Sequence, residues 1–333
     1  MTMTRLRLTA VTAPFLALAI GFAAPQASAE DDAKTIALTI PFASAPFYWA
    51  AANGFKDEGE RLGYKVIVNN ADNSVERQVA HIDNYRVMEV AGAAAIAADA
   101  DALKPVITQY MEGGRPFFAI DRDIHADVTG LLVTDNVVAG KTLGLYVKDK
   151  LDGQPIKALV LYGPVSVVPF VDRLSGFLSV FANDPDFTLV GMPDVEVDAG
   201  KALATVKTYL QSNPDINVIY SVTDLTNAGA IAALKEMDRL VAADDPRHVY
   251  VVGVDGNAET LSQIRDGTTD ASFSQYPYLQ GVWTARAIDY VLKGQGDSIP
   301  KGLYFGGDLV TPGNIANYPN LWGDVAFSQD IVQ

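Results

Sequence analysis

Residues 36–69 read IALTIPFASAPFYWAAANGFKDEGERLGYKVIVN and hold one complete strand–helix–strand unit. The apolar, β-prone run Ile36–Ile40 predicts a buried strand, and Tyr48–Leu62, which Gly63 ends, has the pattern of a helix. A second β-prone run follows at Lys65–Asn69. Because a helical crossover of this kind joins parallel strands, the segment predicts an α/β sheet.

The same alternation of strands and helices continues along the chain. Further strands are predicted at residues 92–98, 116–120, 131–133, 158–161, 188–191, 218–221, 249–254 and 271–274, and further helices at 75–88, 104–112, 139–151, 168–182, 199–210, 228–237, 259–265 and 279–292. The 333 residues are about twice the length of one domain, and the pattern restarts near Thr134-Asp135-Asn136. The sequence therefore predicts an α/β fold of two doubly wound parallel-sheet lobes joined by a hinge. The N-terminal lobe is predicted to contain residues 34–134 and 276–304, and the C-terminal lobe residues 135–275 and 305–333.

The composition excludes several classes of protein. Hydrophobic residues make up 49% of the chain and charged residues 20%, which is the balance of a globular protein. The net charge of −15 repels phosphate backbones, so no nucleic-acid partner is expected. The absence of cysteine excludes disulfides, thiolate metal sites and cysteine nucleophiles. With only His81, His125 and His248 as histidines, the sequence predicts no metal and no cofactor.

Residues 1–29 have the three-part layout of a secretory signal peptide. Arg5 and Arg7 precede an uncharged apolar run, Leu8–Ala24, and Ala27-Ser28-Ala29 is a small-residue cleavage site. The alternative is a membrane anchor, but the run is slightly short for a span of about 20 apolar residues, and a proline and a glycine interrupt it. We therefore expect cleavage after Ala29 and export of a soluble protein.

Polar and aromatic residues follow five of the predicted strands, at the carboxyl ends where ligands bind to open parallel sheets. They are Ser44 to Trp49, Asp121-Arg122-Asp123, Thr223-Asp224, Asp255-Gly256-Asn257 and Gln275-Tyr276. A single aspartate after a strand is more often a helix N-cap or a turn residue. Five such clusters on one rim favour a binding site, and within the aromatic group Trp49 is the residue that we assign to core or helix-start packing.

The chemistry of this rim fits an uncharged polyhydroxyl ligand. A carboxylate accepts two hydroxyl hydrogens, and an arginine donates to two hydroxyl oxygens in fixed geometry. The faces of Phe47 and Tyr48 can cover the C–H side of a sugar ring.

The charges of the rim predict the sign of the ligand. A lone Arg122 among Asp121, Asp224 and Asp255 gives a pocket of net negative charge, which would repel a sugar acid or a phosphate. A cationic ligand such as an amine is the competing hypothesis, since acidic pockets with aromatics also suit cations. Arg122 and the neutral Gln275 argue against it.

The familiar sequence motifs of enzymes are incomplete or absent in this sequence. Gly140-Lys141-Thr142 resembles the end of a phosphate-binding loop, but the earlier glycine of that motif is replaced by Asp135. Val252–Gly256 lacks the spacing of a dinucleotide-binding fingerprint, and neither G-x-S-x-G nor H-E-x-x-H occurs. Residue types alone do not exclude a glycosidase that uses two carboxylates. An exported carbohydrate-active enzyme is therefore the alternative hypothesis to a binding protein.

Short segments spread over residues 35–310 carry a family resemblance. They are Ile36-Ala37-Leu38, Pro46-Phe47-Tyr48, Gly54–Glu58, Leu62-Gly63-Tyr64, Asp121-Arg122, Asp135-Asn136 with Gly140, Arg173–Phe177, Val252–Gly256 and Gln275-Tyr276-Pro277. In their order and spacing they resemble the ribose-binding-protein family, the type I periplasmic sugar-binding components of ABC importers. The resemblance implies a monomeric periplasmic protein, not an enzyme, that closes on a sugar or polyol by hinge rotation and delivers it to a membrane permease. A role in presenting the ligand to a chemoreceptor is a further alternative.

The resemblance also assigns ligand contacts to individual residues in both lobes. At the matching positions of the family, polar side chains bind the hydroxyls of the sugar and aromatic side chains stack on its ring. One of these polar positions is an asparagine in the family and Thr223 here. The residues at these positions are Phe47, Tyr48, Asp121, Arg122, Thr223, Asp255 and Gln275.

Other positions depart from the family's pattern. The asparagine before the first-helix proline is Ala45 here, and two further aromatic positions are Val197 and Val254. A sugar-binding arginine two residues before Arg173 is Val171. The loss of these polar and aromatic groups implies a ligand other than ribose, smaller or less densely hydrogen-bonded.

Overall fold

The computed structural model describes residues 34–43, 45–318 and 322. The predicted signal peptide, Ser44 and most of the chain after residue 318 lie outside the described residues.

Strands and helices alternate along the described chain. The strands are β1 (Thr35–Ile40), β2 (Lys65–Asn70), β3 (Gly92–Ala95), β4 (Phe117–Ile120), β5 (Gly130–Thr134), β6 (Ile156–Leu161), β7 (Phe187–Gly191), β8 (Val218–Ser221), β9 (Tyr250–Asp255), β10 (Ala271–Ser274), β11 (Gly302–Phe305) and β12 (Asp308–Val310). The α-helices are α1 (Pro46–Arg61), α2 (Val75–Val87), α3 (Lys104–Met111), α4 (Asn136–Lys150), α5 (Val168–Ser179), α6 (Ala199–Ser212), α7 (Asn227–Glu236), α8 (Ala258–Arg265) and α9 (Pro277–Leu292).

Two six-stranded sheets organise these elements. The first has the order β11-β5-β4-β3-β1-β2 and is parallel throughout, whereas the second has the order β12-β10-β9-β8-β6-β7. In the second sheet β12 runs antiparallel to β10, with Ser272 opposite Val310. The predicted class of two doubly wound lobes is confirmed, but the expectation of purely parallel sheets is wrong for β12. Within the described residues the chain passes between the sheets three times, after β5, after β10 and after β11.

The central strands are apolar on both faces because helices cover both faces of each sheet. On β1, Ile36, Leu38 and Ile40 pack in one core cluster with residues of α1 and α9. The intervening Ala37 belongs to another cluster, together with Ile82 of α2 and residues of α3. This is why the run Ile36–Ile40 reads as continuously hydrophobic instead of alternating.

Glycines bring neighbouring helices into close contact in both lobes. A Cβ atom placed on Gly281 of α9 would lie 1.9 Å from the carbonyl oxygen of Ala51 in α1. In the second lobe, a Cβ atom on Gly140 of α4 would lie 1.8 Å from the carbonyl oxygen of Arg173 in α5. Only a residue without a side chain fits at these two crossings.

None of the helices formed by the described residues has the length and apolar character needed to cross a membrane.

Candidate functional site

A cavity of about 290 Å³ lies where the carboxyl ends of strands from both sheets face each other. All seven residues that the resemblance assigned to the ligand line it. These are Phe47, Tyr48, Asp121, Arg122, Thr223, Asp255 and Gln275.

The first lobe supplies a carboxylate, a guanidinium and a phenol to this cavity. Asp121 and Arg122 follow β4 directly, and Asp121 has a left-handed backbone with φ of 70°. Arg122 donates from Nη2 to the Tyr48 hydroxyl at 2.5 Å, and its Nε and Nη2 lie 3.4 Å from Oδ2 of Asp121. Burial raises the pKa of Tyr48 to about 12, against the opposing effect of Arg122, so the phenol stays neutral at physiological pH.

The second lobe places Asp255 at the end of β9, held by four donors. Its Oδ2 accepts from the Thr223 hydroxyl at 2.6 Å and from the backbone N–H of Asp224 at 3.3 Å. Its Oδ1 accepts from the Gln275 amide and lies 3.4 Å from Nη1 of Arg173. Burial raises the pKa of Asp255, and the guanidinium of Arg173 acts in the opposite direction. The carboxylate is therefore largely satisfied by the protein itself.

Asp224, predicted as part of the acidic pocket, lies behind the cavity and not in its lining. It is buried and accepts from the Gly256 N–H at 2.7 Å and from the Ser272 hydroxyl at 2.7 Å. Burial raises its pKa, and the nearby carboxylate of Asp255 raises it further. Its hydrogen bond to Gly256 holds the turn that carries Asp255, so its role is to position that residue.

The expected net negative pocket with a lone arginine is wrong, because Arg173 also lines the cavity. Its Nε donates to Asn136 Oδ1 at 2.8 Å and its Nη1 to the carbonyl oxygen of Val222 at 2.8 Å. The lining thus holds two arginines and two aspartates. The sequence placed Arg173 in a helix but gave no signal that α5 turns this side chain towards Asp255.

Of the two roles expected for Trp49, core packing is wrong, whereas its place at the start of a helix agrees with the first turn of α1. Trp49 is 51% exposed, whereas Tyr48 is 8% exposed and belongs to the core cluster between β1 and α1. Helix α1 begins at Pro46, so its register turns Tyr48 inward beside Arg122 and Trp49 outward.

Three other rim residues lie outside the cavity lining. Asp123 accepts a hydrogen bond from the N–H of Ile124, and Tyr276 donates to Asp308. Asn257 caps α8 by accepting from the N–H of Thr260 at 2.9 Å, as a polar residue after a strand commonly does.

Sequence reasoning missed the loop between β6 and α5 and the first turn of α5, which together supply an apolar wall. Pro164, Val167, Pro169 and Phe170 line the cavity there. The rule that ligands bind beyond the carboxyl ends of parallel strands applies to β6 as well, and would have selected this segment. Phe170 gives the cavity an aromatic group that the family comparison did not include, with the Arg173 guanidinium 5.8 Å from its ring centre.

Within residues 34–43, 45–318 and 322, no cluster of three or more histidine, aspartate or glutamate side chains could hold a metal ion. The arrangement suits a different task. It presents hydrogen-bond donors and acceptors on two facing lobes, with aromatic and aliphatic side chains between them.

Comparisons with known proteins agree with this geometry. A family model described as the periplasmic binding protein domain matches residues 36–296. A ribose import binding protein of Bacillus subtilis is 26% identical over 275 residues, which cover 82% of this chain and 87% of that protein.

Solved structures share the fold. An ABC transporter periplasmic solute binding protein from Actinobacillus succinogenes with bound D-allose superposes with a TM-score of 0.78 and 21% identity, covering 86% of this chain and 100% of that chain. An ABC transporter solute binding protein from Bacillus halodurans with bound myo-inositol gives a TM-score of 0.76 and 18% identity, covering 86% of this chain and 97% of that chain. The family match runs from β1 to the residues just after α9 and so includes elements of both lobes. The chain therefore belongs to the periplasmic binding protein domain family.

Proposed function

We propose that the protein captures a neutral monosaccharide or polyol in the cavity between its lobes and delivers it to the permease of an ABC importer. The observation that carries the proposal is the placement of polar groups on both sides of one cavity. Asp121 and Arg122 face it from the first lobe, and Asp255 and Thr223 from the second. A ligand held by both sides favours the closed form of a hinged protein.

The relatives support the chemical class of the ligand. The relative from Bacillus subtilis is a ribose import binding protein, and the two solved structures with the same fold carry D-allose and myo-inositol. The balanced charges of two arginines and two aspartates in the lining also favour a ligand without net charge. Hydroxyl groups can donate to the carboxylates and accept from Arg122.

The proposal includes the organisation and location of the protein. We propose that residues 34–134 with 276–304, and residues 135–275 with 305–333, form the two lobes. We further propose a periplasmic monomer that is released by cleavage after Ala29 and has no nucleic-acid partner. Mass spectrometry of the exported protein is expected to find Glu30 at its N-terminus, and recovery of the full-length chain in the cytoplasm alone would contradict export.

Isothermal titration tests the ligand class directly. Pentoses, hexoses and polyols are titrated beside amino acids, sugar acids and polyamines. We expect binding only among the neutral compounds, and recovery of the bound compound unchanged. Binding confined to charged compounds would contradict the proposal, and a chemically altered ligand would move the protein to the enzyme class.

Asp121→Ala tests the position of the site. Loss of one partner of a buried, charge-assisted contact costs about 2–5 kcal/mol, so we expect a micromolar affinity to fall to the millimolar range or beyond. Asp127→Ala is the matched control, because Asp127 follows the same strand and its side chain is 97% exposed. Wild-type affinity in Asp121→Ala would place the ligand elsewhere.

A further inference from the structure

The hydrogen-bonding groups of the cavity differ in how far the protein already satisfies them. Asp255 has four protein donors, and Gln275 both donates to Asp255 and accepts from the Thr134 hydroxyl at 2.8 Å. In contrast, among the described residues the Asp121 carboxylate has only the 3.4 Å contacts from Arg122. The capacity to bind new hydroxyl groups is therefore greatest at Asp121 and Arg122, and in the second lobe Nη2 of Arg173 adds a donor that has no partner among the described residues.

One part of the lining contributed by the second lobe has no such groups, although Arg173, Thr223, Asp255 and Gln275 of the same lobe lie elsewhere in the lining. Val167, Pro169, Phe170, Val197 and Leu225 form this part, and their side chains can neither donate nor accept hydrogen bonds. Phe170 and Val197 both lie close to Gly163. A Cβ atom placed on Gly163 would be 2.7 Å from the Phe170 ring and 3.2 Å from the Val197 side chain. Phe170 and Val197 therefore lie side by side in this apolar wall.

The backbone of Val197 indicates that this surface is held in place by its surroundings. Its φ of 56° lies in the left-handed region, which a β-branched residue rarely adopts. A backbone of this kind persists only where the surrounding structure fixes it, so the position of Val197 is set by its neighbours.

We propose that the ligand is amphipathic: a deoxy or C-methyl sugar or polyol. Two adjacent hydroxyls face Asp121 and Arg122, and a methyl or methylene group faces the wall of Phe170, Val167 and Val197. A hydroxyl against that wall would lose its water without gaining a partner, whereas a methyl group gains by leaving water. This inference rests on the proposed function and narrows its ligand class.

Matched ligand pairs test the inference. We would titrate 5-deoxy-D-ribose against D-ribose, D-fucose against D-galactose, and L-rhamnose against L-mannose. In the pair that binds most tightly, we expect the methyl-bearing member to bind about tenfold tighter, as the cost of an unsatisfied buried hydroxyl implies. Equal or tighter binding of the fully hydroxylated member in that pair would overturn the inference and leave the proposed function intact. Absence of binding by every pair would overturn the inference, and the wider panel of pentoses, hexoses and polyols would then test the proposed function separately.

A variant of the wall gives a second, independent readout. Val197→Asn places an amide on the apolar surface, and asparagine adopts a left-handed backbone more readily than valine, so the fold is not put at risk. We expect it to reverse the preference in favour of the hydroxylated member. Glu196→Asn is the matched control, since the exposed Glu196 has a φ of 53° and lies outside the cavity lining. An unchanged preference in Val197→Asn would overturn the inference.

Discussion

Asp255 and Arg173 are separated by 82 positions in the chain and meet in the ligand cavity. The sequence placed Asp255 directly after a strand, at the edge where ligands bind to parallel sheets, but that rule identifies an edge and not a partner side chain. Arg173 lies inside a helix, where side-chain direction depends on the helix's register and packing. Its contribution to the cavity therefore needed the three-dimensional structure.

At the same scale, His248 has a partner on each ring nitrogen. Nδ1 faces the carbonyl oxygen of Val241 at 2.9 Å and Nε2 faces Oδ1 of Asp270 at 2.9 Å. Both partners are acceptors, so only the protonated imidazolium can donate to both. Burial lowers the pKa of His248, but the hydrogen bond and charge of Asp270 outweigh it, and the net pKa is raised.

This pair predicts a pH dependence of stability. Because the folded-state pKa of His248 lies above the unfolded value, its stabilisation is complete below about pH 6.5 and is lost as the pH rises through the folded-state pKa. We expect His248→Gln to cost about 1 kcal/mol of unfolding free energy at about pH 5.5, and less at about pH 8.5. Urea denaturation at both pH values measures this loss of unfolding free energy. The control is His125→Gln, which removes an exposed histidine paired with Asp101. A loss of unfolding free energy in His248→Gln that grows with pH would contradict the raised pKa of His248.

At the scale of elements, each strand and helix predicted from the sequence is present, with ends that differ by a few residues. The two short strands β11 and β12 were not predicted; both lie at the edges of their sheets and are only partly buried. The antiparallel direction of β12 follows from the third passage between the lobes, which no local pattern encodes.

The close helix crossings give a prediction at this scale. Gly140→Ala would place a methyl group 1.8 Å from the carbonyl oxygen of Arg173, so α4 and α5 must separate. We expect a loss of about 1–3 kcal/mol in unfolding free energy, measured by urea denaturation. Gly296→Ala is the control, because its added Cβ would meet nothing closer than 3.4 Å. Equal stability of the two variants would mean that the crossing relaxes freely.

At the scale of the whole molecule, the sequence predicted a boundary between the lobes near Thr134-Asp135-Asn136. The structure shows which hydrogen bonds join the segments that pass between the lobes at this point. Thr134 at the end of β5 donates to Gln275 and accepts from Gln280 of α9 at 2.9 Å. Two of the three passages between the lobes are therefore joined by hydrogen bonds through Thr134, and Gln275 continues the chain of bonds to Asp255.

Closure of the lobes should be visible at low resolution. Polar groups on opposite lobes can engage one ligand only when the lobes approach, so we expect small-angle scattering to give a smaller radius of gyration with a saturating bound sugar than without it. Asp121→Ala with the same sugar is the control and should keep the larger value. An unchanged radius in the wild-type protein would contradict a hinge mechanism.

The contact between α1 and α9 has a consequence for the order in which the chain can acquire its structure. The first helix packs on a helix that begins at Pro277, and the outer strand of the same sheet begins only at Gly302. Strands β6 to β10, in contrast, are contiguous in sequence. During synthesis from the N-terminus, the half of the molecule that emerges first must wait for the last segments before its sheet is complete, while the later half can finish most of its own sheet without them.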